Sequence, residues 1–328
     1  MSKDISAAAA ATGPTTLGAQ APWSHTHAWD RPAWTVDELV EAKAGRTVSV
    51  VLPALNEADA VAGVVASIMG LVGTLVDELV VLDSGSTDDT AAIARAAGAR
   101  VVARDDVFGD LPPRPGKGEA LWRSVAATTG DLIAFIDADL IDPDPMFVPR
   151  LLGPLLFDPD IHLVKGYYRR PLRSGGAQVA DGGGRVTELS ARPLLTALKP
   201  ELGEVIQPLG GEYAGTRELL SSVPFAAGYG VEVGLLIDTY DRYGLTGIGQ
   251  VNLGTRAHRN RPLSELAVMS RQIIATLLQR CGIEDSGVGL TQFVPGIDGT
   301  FSPVTTELAV ADRPPVAALL GDRPGADR

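Results

Sequence analysis

Apolar and polar positions follow a repeating order along residues 47–140. A short, almost continuous apolar run ends in polar residues, and a longer stretch with spaced apolar positions follows it. "TVSVVLPAL" (47–55), "DELVVLDSG" (77–85), "ARVVARD" (99–105) and "DLIAFIDADL" (131–140) are runs of the first kind. "STDDTAAIARAAG" (86–98) and "GKGEALWRSVAATTG" (116–130) are of the second. The former opens with Ser, Thr and Asp, whose side chains accept from the unpaired N–H groups of a helix start. Strands that are apolar throughout are buried on both faces, and alternation with helices predicts a parallel sheet covered on both sides. Ligands of such sheets bind at the carboxyl ends of the strands. Polar residues gather at those ends: Asn56–Glu57, Asp83–Ser84 and Asp137-Ala138-Asp139.

The uncharged stretch 60–76 is bounded by Asp59 and Asp77 and is shorter than the ~20 residues a membrane span needs. It predicts a buried helix running into a loop. Residues 1–30, with an alanine run but no strongly apolar block, predict a mobile N-terminal tail and not a signal peptide. The Pro- and Gly-punctuated residues 299–328 predict a loose C-terminal tail. Between them, 31–165 is expected to form the nucleotide-binding half and 166–298 a smaller acceptor-binding half.

Composition narrows the function. The 328 residues carry a formal net charge of -12, which argues against nucleic acid or an anionic membrane as a partner of the whole chain. Cys281 is the only cysteine, so no intramolecular disulfide can form, and a reducing, cytoplasmic setting is expected. No G-x-G-x-x-G follows the first strand, and "GKGEA" lacks the upstream glycine and the following Ser/Thr of a P-loop. Two carboxylates at the end of a buried strand are costly unless matched by positive charge. Asp137 and Asp139 suit a hard divalent cation, Mg²⁺ or Mn²⁺, of the kind shared with substrate phosphates.

"VVLPALNE", "VVLDSGSTDDT", "GKGEAL" and "FIDADL" together resemble a GT-A fold glycosyltransferase. "GGGRVTELSARPLL", "PLGGEYAGTRELL", "GYGVEVGLLIDTYDRYG" and "QVNLGTRAHRNRPL" extend the likeness to the glucosyl-3-phosphoglycerate synthases, a family of retaining enzymes, over roughly residues 30–295. Ala138 departs from the pattern, in which the middle residue of D-x-D is Ser. The resemblance implies a GT-A sheet, mostly parallel and flanked by helices. It implies glucose transfer from UDP-glucose, or GDP-glucose, to 3-phosphoglycerate, a divalent metal and a homodimer. The product would be a precursor of methylglucose lipopolysaccharide.

It also implies roles. Pro53, Ala54, Leu55, Asn56 and Glu57 would wall the base and ribose, with Ser84 at the base edge. Lys117, at a helix start that already favours anions, would meet the donor beside Asp137 and Ala138. Asp139 and His258 would hold the metal. Tyr229 and Glu232 would line the sugar pocket, and Arg256 and Arg261 would face the leaving charge. Asp139, Lys117 and Glu232 are the catalytic candidates. Gly184, Arg185 and Thr187 would bind the acceptor, joined by Asn260. For that glycine loop the residues alone fit a flexible hairpin equally well. His162, between Ile161 and Leu163, reads as a partly buried structural histidine.

Two other readings compete. A nucleotidyltransferase would want a Gly-rich basic loop straight after the first strand, where "ALNEADA" stands. A non-catalytic sugar-nucleotide binder would have no acceptor site, whereas "DGGGRVTEL" and "RAHRNR" offer one.

Overall fold

The computed structural model of the chain describes residues 22–169, 172–174, 177–179, 184–256 and 262–320. Its strands are β1 (Ala28–Trp29), β2 (Val48–Ala54), β3 (Glu78–Asp83), β4 (Arg100–Ala103), β5 (Leu132–Phe135), β6 (Leu163–Arg169), β7 (Leu172–Ser174), β8 (Ala177–Val179), β9 (Tyr213–Thr216), β10 (Ile248–Thr255), β11 (Leu290–Pro295) and β12 (Phe301–Thr306). Eight of them make one sheet in the order β1-β10-β6-β9-β5-β2-β3-β4; β7–β8 and β11–β12 are separate hairpins. Every pairing in the large sheet is parallel except those of β9, which runs antiparallel to both β5 and β6. The helices are α1 (Trp23–Thr26), α2 (Val36–Lys43), α3 (Val61–Met69), α4 (Thr90–Ala96), α5 (Lys117–Ala127), α6 (Phe147–Phe157), α7 (Arg192–Leu198), α8 (Arg217–Ser222), α9 (Val231–Tyr243), α10 (Leu263–Arg280) and α11 (Val316–Leu320).

The pleat divides the core between the two sheet faces. Val50, Leu52, Ala134 and Ile136 pack with α3 and α6 on one face; Val51, Ile133 and Phe135 pack with α5, α9 and α10 on the other. Both sides of each central strand are therefore dry, which is why these runs are apolar at successive positions. Each fully buried Val, Leu or Ile contributes about 1.5–3 kcal/mol.

The tail and boundary expectations need correction. Trp23 is buried and donates its indole N–H to the Leu245 carbonyl, and β1 adds an edge strand beside β10, so part of the expected N-terminal tail belongs to the fold. At the other end Arg313 and Val316 are buried against the body of the fold. The expected boundary after residue 165 cuts through β6, and both halves contribute strands to one sheet. The uncharged stretch is a helix, α3, followed by a turn closed by a Val72–Val76 bridge. Among the described residues, no helix is long and apolar enough to cross a membrane.

Candidate active site

A cleft of about 460 Å³ opens at the carboxyl ends of the parallel strands. Pro53, Ala54, Leu55 and Glu57 line it at the end of β2, Ser84 after β3, Arg104 after β4, and Asp137, Ala138 and Asp139 after β5. Pro115, Gly116, Lys117 and Ala120 around the start of α5, with Tyr229, complete the wall.

The chain reverses sharply after β2 because Asn56 takes a left-handed backbone, φ 57°, which asparagine tolerates better than most residues. Its side-chain oxygen accepts from the Thr87 N–H at 2.8 Å, and its own N–H donates to Ser86 Oγ at 2.9 Å. Asn56 thus ties two strand-end loops together and does not line the cleft, in contrast to its expected place in the donor wall.

The positive charge that matches Asp137 and Asp139 comes from two sides. Lys117 Nζ lies 2.6 Å from Asp137 Oδ1 and 2.8 Å from Glu232 Oε1. Arg256 Nη2 lies 2.7 Å from Asp137 Oδ2 and 3.1 Å from Asp139 Oδ1, while its Nε faces Glu212 Oε1 at 3.2 Å. Glu212, Arg256, Asp137, Lys117 and Glu232 therefore form a line of alternating charge. Burial alone would lower the Lys117 ammonium, but Asp137 and Glu232 outweigh it and hold the group protonated, well above its ordinary range. Burial likewise acts against the Arg256 charge, and Glu212, Tyr168 and the two aspartates more than restore it. Burial pushes the Glu212 carboxyl up, against the pull of Arg256. Lys165 is buried beneath this line, donating to the Gly210 carbonyl at 2.7 Å, and burial lowers it to about 8.

Sheet topology explains why these residues meet. Because β9 is antiparallel, its first residue, Tyr213, lies beside Phe135, the last residue of β5, and beside Lys165 within β6. Gly211 and Glu212, just before β9, thereby reach the carboxyl end of the sheet. A Cβ built on Gly211 would overlap the Asp137 carboxylate.

The two glycines of "GKG" have a similar cause. Gly116 caps α5 at φ 105°, and a Cβ there would sit 2.8 Å from Gly228 Cα. A Cβ on Gly118 would overlap the Ala226 carbonyl. The turn that carries Lys117 is thus pressed backbone to backbone against the turn that leads to Tyr229 and Glu232. Glu232 itself is 5% exposed and meets the cleft through its ion pair with Lys117, not as a wall residue.

Gly184 has a left-handed backbone, φ 82°, and its carbonyl accepts from the Glu188 N–H. Arg185 follows, and Thr187 is buried at the head of a one-turn π-helical segment, Thr187–Ala191, that continues into α7. None of these three lines the donor-side cleft. His258, Asn260 and Arg261 lie outside the described residues. His162 is half-buried and stacks on Tyr243, as expected of a structural histidine. Arg104 was not among the expected site residues, although in "ARVVARD" it directly follows the apolar run, the same strand-end position that singled out Ser84. Neither were Gly211 and Glu212: they stand in "PLGGEYAGTRELL", but their place beside Asp137 depends on the direction of β9.

Residues 49–199 match the family model described as "Glycosyl transferase family 2". The glucosyl-3-phosphoglycerate synthase of Mycolicibacterium smegmatis is 69% identical over 297 residues, 90% of this chain and 98% of that one. The chain belongs to the glucosyl-3-phosphoglycerate synthase family. Among solved structures, the Mycobacterium tuberculosis synthase in complex with Mn²⁺, UDP-glucose and phosphoglyceric acid superposes with a TM-score of 0.82 at 62% identity, covering 89% of this chain and 98% of that one. The same synthase in complex with Mg²⁺ and UDP gives 0.83 at 62% identity, covering 89% and 99%. The family's GT-A architecture is the one described above: a large, mostly parallel sheet flanked by helices.

Proposed function

We propose that the chain transfers glucose from UDP-glucose to 3-phosphoglycerate in a divalent-metal-dependent reaction, yielding glucosyl-3-phosphoglycerate and UDP. The observation that carries this reading is the unequal pair of carboxylates in the cleft. Asp137 is neutralised by Lys117 and Arg256, whereas Asp139 is the more exposed of the two, 34% against 20%, with its ion pair to Arg256 longer at 3.1 Å. A carboxylate oxygen facing a polar cleft fits Mg²⁺ or Mn²⁺, which favour oxygen donors. Asp139 would hold the cation, His258 would join it, and donor phosphate oxygens would fill the remaining positions. When bound, the cation neutralises diphosphate charge as the leaving group departs.

Glu57 and Ser84, which line the cleft, would contact the nucleoside, and Lys117 would follow the diphosphate, relinquishing part of its contact with Asp137. Tyr229 closes the sugar side. Glu232 anchors Lys117 and is no attacking nucleophile, buried as it is behind the ammonium. That arrangement favours front-face displacement. The bond from C1 of glucose to the β-phosphate oxygen breaks, and a bond from C1 to the acceptor hydroxyl oxygen forms on the same face. The hydroxyl proton passes to the departing phosphate oxygen. Gly184, Arg185 and Thr187, with Asn260, would hold the acceptor's anionic groups through backbone N–H groups and a guanidinium fork.

Incubation with labelled UDP-glucose, Mn²⁺ or Mg²⁺ and 3-phosphoglycerate tests the reading. It predicts a phosphorylated glucoside with the anomeric configuration of the donor, read by NMR. Pyrophosphate-dependent exchange or binding without turnover would replace it with one of the competing readings. The chain is further expected to work in the cytoplasm, as its lone cysteine suggests, and as a homodimer. Support for a dimer comes from the β11–β12 hairpin, whose Phe293, Ile297 and Phe301 are 65%, 111% and 67% exposed. Sedimentation of the chain and of a Phe293→Ser, Phe301→Ser variant would check it.

A further inference from the structure

The segment Ala311–Val316 packs across α5 and the turn at Phe225, and Arg313 is its centre. This guanidinium is 8% exposed, an unusual burial for a residue near a chain end. Its Nε and Nη2 lie 2.6 and 2.8 Å from the two oxygens of Glu119, itself 3% exposed. Nη2 also donates to the Pro112 carbonyl at 2.7 Å. Its backbone exchanges two hydrogen bonds with Phe225, at 2.9 and 3.0 Å. One residue thereby holds two segments: Pro112–Glu119, which carries Lys117, and the turn from Phe225, which carries Tyr229 and Glu232. Around it, Trp122 Nε1 donates to the Pro314 carbonyl, and Arg114 donates to the carbonyls of Ala311 and Asp312.

A buried ion pair is a poor way to gain stability, since apolar residues of similar volume do as well or better. What the fork supplies here is direction. It fixes the first turn of α5 against the Phe225 turn, the same two pieces that meet through Gly116, Gly118, Ala226 and Gly228. The Lys117–Glu232 contact of 2.8 Å spans that seam.

We propose that Arg313 is a positioning residue of the donor site: by clamping Glu119 and Phe225 it sets Lys117 between Asp137 and Glu232. The inference rests on the reading that Lys117 meets the donor diphosphate. It predicts an effect on turnover that passes through Lys117, with none on the acceptor.

A double-mutant cycle tests it in the full chain, with folding followed by circular dichroism and thermal melting. Arg313→Ala should lower kcat ten- to a hundredfold, on the scale of a misplaced catalytic group, and move the KM for 3-phosphoglycerate less than about threefold. Lys117→Ala/Arg313→Ala should be no worse than Lys117→Ala alone, within about threefold, because the proposed effect of the clamp on turnover passes through Lys117 and not through Tyr229. Arg313→Lys keeps the charge and stem but not the fork, so it should fold and still lose about tenfold; it replaces Arg313→Ala in the cycle if the latter does not fold. Multiplying losses in the double variant, or wild-type kcat in either single Arg313 variant, overturns the proposal and leaves the function intact. Wild-type turnover in Lys117→Ala overturns the donor-site reading and this inference with it.

Discussion

Arg256 Nη2 sits between Asp137 Oδ2, at 2.7 Å, and Asp139 Oδ1, at 3.1 Å. One nitrogen thus serves both carboxylates of the D-x-D, but unequally, and Lys117 adds a second cation to Asp137 alone. The pair is divided in labour before any ligand arrives.

That division separates two substitutions. Asp139→Asn should lower kcat a hundredfold or more, the scale of losing a major electrostatic group, and change the melting temperature little. Asp137→Asn leaves two cations facing a neutral amide, so it should lower activity and also destabilise by about 1–3 kcal/mol. Steady-state kinetics and thermal melts of both variants check this. Equal melting temperatures for the two would remove the structural role of Asp137.

Gly211 tests the same geometry by steric means. An added Cβ would occupy the space of the Asp137 carboxylate, so Gly211→Ala must push Asp137 off Lys117 and Arg256. The expected loss in kcat is at least tenfold, with the fold retained. Gly203→Ala is the control, because a Cβ there meets nothing within 4 Å. If both alanine variants turn over like wild type, Asp137 has more freedom than its two ion pairs suggest.

The sequence carried the parallel strands and their polar ends well, because burial on both faces writes itself as unbroken apolar runs such as 132–136. It also carried the place of Asp137 and Ser84, each set by its distance from such a run, and of Lys117, set by the helix start in "GKGEAL". It could not carry what depends on β9 being antiparallel. Only that direction brings Gly211 and Glu212 to the cleft, and four residues of β9 look alike in either sense. Arg313 was misread for a related reason. Its partner Glu119 is 194 positions away, and a Pro-rich stretch signals a tail unless that partner is known. Asn56 owes its expected place in the donor wall to the resemblance, and no sequence pattern announced that its left-handed backbone would turn its side chain to Thr87.

The pH dependence of stability should show an inverted carboxylate. Burial lifts Asp238 to about 6, against the pull of Arg280 at 2.7 Å. In the unfolded chain its value is near the ordinary ~3.9. Between about pH 4 and 6 the folded protein therefore holds a proton that the unfolded chain has released, and this group's contribution to stability rises as pH falls through that window. Asn mimics the protonated acid. Asp238→Asn should be more stable than wild type at pH 7, by at most about 3 kcal/mol, with the gain gone near pH 4. Urea unfolding at pH 4, 5.5 and 7 checks it; a less stable variant at pH 7 would mean the Arg280 ion pair outweighs the cost of burial.

The acceptor side gives the last test. Gly184 turns the chain through a left-handed backbone straight into the helical turn that begins at Arg185, so backbone N–H groups and an arginine stand at one helix start. If that helix start binds 3-phosphoglycerate, Arg185→Ala should raise the acceptor KM on the order of tenfold to a hundredfold, the cost of one charge-assisted hydrogen bond of about 1.5–3 kcal/mol. Arg185 does not line the donor cleft, so UDP-glucose affinity measured by calorimetry with metal and no acceptor should change less than about threefold. Arg185→Lys should recover little, since a point charge cannot reproduce the planar fork. Glu57→Ala is the opposite case. Its side chain lines the donor cleft, so the variant should weaken UDP-glucose and spare the acceptor. If Arg185→Ala abolishes UDP-glucose binding in a folded protein, the glycine loop belongs to the donor. Acceptor recognition would then fall to the Asn260 segment.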